Sequence, residues 1–123
     1  LGGFFLANIK EILEEIIQTD GVQISLLASE DGLVVDYVAK ENADVEAIGA
    51  VASGGLRATA MIGNELVKGE TKEVVIIFED GAVFLVPIEG KPAVIVTVAN
   101  TSANLGKIRN NIKKCVYKLM RVL

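Results

Sequence analysis

Histidine is absent from the 123 residues, and with it the commonest general base and metal ligand near neutral pH. There is one cysteine, Cys115. That excludes an internal disulfide, and a single sulfur ligand without histidine cannot complete a structural zinc site. Tryptophan is also missing and aromatics make up only 5%, so stacking platforms for bases are scarce. No apolar run reaches the roughly 18 residues that a membrane-spanning helix needs. Leu1 to Leu6 is apolar but has no basic leading segment and soon becomes Lys10-Glu11, unlike a secretory signal. The chain starts on Leu rather than Met, as a processed or truncated chain does. One free thiol makes a reducing cytoplasm the default compartment. No Gly-x-x-x-x-Gly-Lys-Ser/Thr loop occurs, and Gly54-Gly55 opens no phosphate cradle after a strand. Glu11, Glu14 and Glu15 read as a solvated helix face, and Cys115 as core filling. No catalytic residue, cofactor or metal is expected, and an enzyme is disfavoured.

What the chain does have is apolar substance, with 51% hydrophobic residues. One domain over residues 1–123 can bury a sizeable core. The net charge of −4 is spread unevenly. Residues 1–50 hold 2 basic and 10 acidic side chains, residues 51–99 hold 4 and 6, and residues 100–123 hold 6 and none. The basic end is either a patch for a polyanion or the complement of the acidic start. Overall acidity favours the second, so a nucleic-acid partner is not expected, and the lack of a long apolar run leaves no membrane span.

The chain is organised around 43–66. On a 3.6-residue period Val45, Ile48, Val51, Ile62 and Leu66 fall on one side, with Ala52, Leu56 and Thr59 among or beside them. This is the side expected to face the core. Glu46, Ser53, Arg57 and Asn64 form a polar stripe opposite. Small residues lie between, with Gly49 and Ala60 on one flank and Ala50 and Gly54 on the other. Each of Gly49, Gly54, Gly55 and Gly63 costs a helix about 1 kcal/mol relative to Ala. Two readings explain such a cost. Either a second helix packs closely here, its copy in a dimer, or Ser53-Gly54-Gly55 kinks the helix.

The other elements follow from periodicity and turns. Phe5 to Gln18 is a helix with a stripe of Phe5, Ile9, Ile12, Leu13, Ile16 and Ile17, ended by Thr19-Asp20-Gly21. Val22 to Ser29 and Leu33 to Val38 flank a Glu30-Asp31-Gly32 turn. Asn42 or Asp44 can cap the central helix. Glu73 to Glu79 is a strand that is apolar on both faces, and Asp80-Gly81 turns it into a strand from Ala82 to Ile88. Pro87 marks a strand end or an unpaired edge. Ala93 to Ala99 is the fifth strand, and Asn104 to Arg121 is a helix with a Leu105, Ile108, Ile112, Cys115 and Leu119 seam. The order αββαβββα suits an α+β fold. Its five-stranded, mainly antiparallel sheet carries the central helix on one face and both terminal helices on the other, a profilin-like layering.

Several pieces in this order resemble the Roadblock/dynein light chain domain family. They are Gly21-Val22, then Ser29-Glu30-Asp31-Gly32-Leu33-Val34 at the first hairpin, then 44–50 opening the central helix. The entry to the last helix, Asn100-Thr101-Ser102-Ala103-Asn104-Leu105-Gly106-Lys107-Ile108-Arg109, completes the set. The resemblance implies a non-enzymatic partner of Ras-like small GTPases, or a subunit of a larger assembly such as the dynein motor. It also implies a homodimer with sheets joined edge to edge and central helices side by side. On this chain the implied dimer interface is Gly49, Ala50, Gly54, Ala60, Val74, Ile76 and Phe78, and the implied partner surface is Glu46, Ser53, Arg57 and Asn64. A small-molecule sensor is the alternative from outside the family.

Overall fold

The computed structural model describes residues 8–123. Phe5, and with it the expected start of the first helix, lies outside them. Helix α1 is Ile9–Ile17, and the Asn8 side chain accepts from the Glu11 N–H. Strands β1 (Val22–Ser29) and β2 (Val34–Ala39) follow. Helix α2 is Val45–Glu65, capped by Asp44, which accepts from the Ala47 N–H. Then come β3 (Val74–Phe78), β4 (Gly81–Pro87) and β5 (Ala93–Ala99). Helix α3 is Leu105–Val122, capped by Asn104. Each cap satisfies a first-turn amide that has no partner inside the helix.

The strands form one sheet in the order β2-β1-β5-β4-β3, and every neighbouring pair is antiparallel. The α+β architecture is therefore the expected one. β5 sits in the middle, covered on both faces, which is why it reads as an apolar run, interrupted only by the buried Thr97, rather than an alternation. One core lies under α1 and α3. It joins Ile12, Leu13 and Ile16 to Leu27, Ile95, Phe84, Ile108, Ile112 and Leu119. Each such buried side chain contributes about 2 kcal/mol. A second, smaller core lies under α2 and holds Ile24, Leu26, Val45, Leu85, Val94 and Val96.

α1 and α3 run antiparallel. Asn111 donates to the Thr19 hydroxyl at 2.6 Å near one end, and Lys118 reaches the Glu15 carboxylate at 2.6 Å further along. The acidic and basic helices are thus neighbours. Gly81 is indispensable at the β3–β4 turn, because at φ +152 a Cβ there would lie 2.3 Å from the Ala99 carbonyl oxygen. No helix of the described residues is long and apolar enough to cross a membrane.

Candidate functional site: an outward helix face, a bare strand edge and a groove

α2 runs unbroken through Ser53-Gly54-Gly55, so these residues do not break the helix. Its orientation differs from the one that periodicity suggests. Val45 is buried, with Ile48, Ala52 and Leu56 packed on the second core. Val51, however, is 76% exposed, and Met61, Ile62 and Leu66 also face solvent. Ser53, expected on a solvent stripe, is only 3% exposed. The cause is the β1–β2 turn, which closes against the helix. Gly32 has φ +88, and a Cβ on it would lie 3.0 Å from the Ala50 Cα. A Cβ on Gly49 would meet Val34 Cγ2 at 3.0 Å and the Gly32 carbonyl oxygen at 3.1 Å. Gly49 is therefore taken up by its own hairpin and is buried there. Gly63 likewise lets the following loop return, since a Cβ would stand 2.8 Å from the Gly69 carbonyl oxygen. Val67, in that loop, holds a left-handed φ of 53 although β-branched, a strained conformation that nothing in its residue type announces.

The polar stripe divides accordingly. The Ser53 hydroxyl donates to the Glu30 carbonyl. Arg57 Nη1 stands 3.2 Å from the Ser53 oxygen and 3.4 Å from the Glu30 carbonyl oxygen. Ser53 thus positions Arg57 and ties α2 to the hairpin, while Glu46, Arg57 and Asn64 remain exposed. Ala50 and Ala60 are exposed as well, and Gly54 is half-buried with nothing nearer to an added Cβ than Arg57 Nη2 at 4.0 Å.

β3 is an outer strand of the sheet. Val74, Ile76 and Phe78 stand opposite Leu85, Val83 and Gly81, so they lie on the α2 face. Val75 and Ile77 lie on the other face, and Phe78 and Ile77 are exposed. An uncharged Val-Val-Ile-Ile-Phe edge invites pairing with another strand. The β2 edge is protected in comparison. Lys10 Nζ donates to the Tyr37 carbonyl at 3.0 Å and pairs with Asp36 at 3.0 Å. Sequence reasoning found the apolar β3 strand, and the family resemblance its place at an edge, but neither gave the outward turn of Val51 and Ile62.

An open groove of about 1300 Å³ begins at Arg57, Ala60 and Asn64, passes the 69–73 segment and ends against α3. Among the described residues no group of His, Cys, Asp and Glu could hold a metal ion.

Cys115 is 1% exposed, with its Sγ 3.6 Å from both the Ile12 carbonyl oxygen and a Glu15 carboxylate oxygen. Burial, then the Glu15 charge, pushes the thiol up to about 12. A thiol held protonated is a poor nucleophile. The folded state keeps this proton where the unfolded chain releases it. The associated stability is therefore complete below the ordinary thiol range and lost as pH rises from about 9 towards 12. At pH 8 the native protein should leave a disulfide reagent such as DTNB unreacted over hours, and denaturant should release one reactive thiol. Rapid labelling of the folded chain would show that the site opens.

A family model described as the Roadblock/LC7 domain matches residues 8–99. An uncharacterized protein of Methanocaldococcus jannaschii, MJ0714, is 30% identical over 111 residues, covering 90% of this chain and 92% of its own length. Among solved structures, a Roadblock/LC7 domain from Streptomyces avermitilis superposes with a TM-score of 0.86 at 16% identity, covering 94% of this chain and 98% of that one. The gliding protein MglB of Thermus thermophilus gives a TM-score of 0.83 at 23% identity, covering 91% of this chain and 85% of that one.

Proposed function

This chain belongs to the Roadblock/LC7 domain family, and we propose that it is a non-enzymatic, cytoplasmic homodimer that binds a Ras-like small GTPase and regulates or scaffolds it. The observation that carries the reading is the coincidence of two unsatisfied surfaces on one side of the sheet. The outward face of α2 presents Val51 and Ile62 beside the small residues Ala50 and Gly54, and the bare β3 edge presents Ile76 and Phe78 on the same face. Pairing β3 with its copy satisfies the strand's free backbone groups. It also brings the two α2 helices together over the joined sheet. Apolar area at the centre of such a contact supplies most of its free energy.

The GTPase then meets a composite surface made by both helices. Glu46, Arg57 and Asn64 supply its polar contacts, and Ser53 supports them from below. Arg57 is held by the Ser53 hydroxyl and the Glu30 carbonyl on the middle of a helix. That anchoring suits a docking contact better than a finger inserted from a mobile loop to stabilise transferring phosphate. Arg57→Ala should weaken capture of the cognate Ras-like GTPase about tenfold or more. In any complex that still forms at high concentration, the hydrolysis rate should be unchanged. Retained binding with lost stimulation would make Arg57 a finger. Failure of every Ras-like GTPase of the same organism to bind the wild-type dimer would sink the partner assignment.

A further inference from the structure

The far end of the groove lies on the opposite face of the sheet from α2, and neither the dimer nor the GTPase reading uses it. Its floor is apolar. Val86 of β4 and Val116 and Met120 of α3 are half-buried and packed on the first core. Above them stands Tyr117, 70% exposed. Lys113 precedes Tyr117 by one helical turn, and Lys91 flanks the groove from the β4–β5 turn. α3 carries no acidic residue from 105 to 122. Nearby carboxylates do little to neutralise this rim. Glu73 is taken by Arg109 at 2.7 Å, and Glu89 stands 3.8 Å from Lys72. Among the described residues Lys113 has no carboxylate within ion-pair distance, and Lys91 keeps its charge while donating to the main-chain oxygen of Leu123 at 2.8 Å.

We propose that this end of the groove docks a short helical segment of a partner protein, acidic at its edges and carrying Leu- or Met-type anchors on one face. Helix-in-groove recognition needs an apolar floor flanked by charge of the opposite sign, and Val86, Val116 and Met120 below Lys113 and Lys91 provide both. Tyr117 supplies the large amphipathic ring that often dominates such contacts. A flat polyanion fits less well. It would meet the rim charge but gain nothing from the apolar floor of Val86, Val116 and Met120.

The test is fluorescence anisotropy on the full chain, with a dye-labelled helical peptide of Leu and Glu in an amphipathic repeat as the probe. Lys–Leu peptide and a single-stranded oligonucleotide serve as competitors. Saturable binding of the Glu–Leu peptide is expected, weakened about tenfold by Tyr117→Ala and by Lys113→Glu. Raising salt from about 0.1 to about 0.5 M should weaken it severalfold. Gly54→Leu, on the other face, should leave it unchanged, so this site stands or falls independently of the dimer. Absence of saturable binding overturns the proposal. So does equal binding of the Lys–Leu peptide, tighter binding of the oligonucleotide, or indifference to both α3 substitutions in variants that remain folded by circular dichroism.

Discussion

Gly54→Leu is expected to leave the fold of the single chain intact and to halve the mass seen by light scattering coupled to size exclusion. Room exists for the new side chain in the isolated molecule, because the nearest neighbour of an added Cβ is the far end of Arg57 at 4.0 Å. A second α2 helix lying alongside would occupy that same space. Leucine there must then push the two backbones apart or distort its own rotamer. Overpacking of this kind costs about 3 kcal/mol, and such a cost weakens self-association on the order of 100-fold. The melting temperature, measured at a concentration where both proteins are monomeric, should change little. A wild type that is itself monomeric would remove the two-helix surface. A variant that stays dimeric would move the contact elsewhere.

Gly49→Leu should do the reverse and act on stability before it acts on assembly. Its Cβ would already press on Val34 Cγ2 and on the Gly32 carbonyl. Three further carbon atoms have no space between the helix and the hairpin turn. Either α2 lifts from the sheet, or the β1–β2 turn shifts and breaks the bonds that Ser53 and Arg57 make to the Glu30 carbonyl. A loss of about 3 kcal/mol or more is expected from chemical denaturation of the monomer. An unchanged midpoint would show that the turn yields freely, and the hairpin would then no longer account for the glycine. The two variants separate glycines that look equivalent in the sequence, one needed by the chain itself and one available to a partner.

That distinction marks where sequence reading stops. Element order and the α+β class follow from periodicity and turn residues, because Asp80-Gly81 and Glu30-Asp31-Gly32 are local signals, whereas the place of β3 at an edge comes only from the family resemblance. The capping by Asp44 and the end of β4 at Pro87 also follow from local residue type, whereas Asn104, expected as the first residue of its helix, is its cap. The facing of α2 does not follow. Periodicity ranks residues by size and polarity, whereas the helix is seated by close contact between Gly32 and Ala50. This contact draws Ser53 inward, where its hydroxyl finds a carbonyl, and leaves Val51 outside. A small polar residue that satisfies its own hydrogen bond costs little to bury. The left-handed Val67 was equally hidden, since only the surrounding chain imposes it.

The second core has a consequence of its own. Only Val45, Gly49 and Ser53 of the 21-residue α2 are buried, whereas α1 buries four of its nine residues. The helix that faces outward is therefore more lightly fastened to the rest than α1 is. Local opening of a segment costs little where few apolar contacts must be broken. In a lone chain α2 therefore stands at the cheap end of that scale, and whatever covers its outer face raises the cost by mass action. If the cover is a second copy, as proposed, order in this part of the molecule becomes a function of concentration, and a dilute population and a crowded one differ in how well the central helix is made.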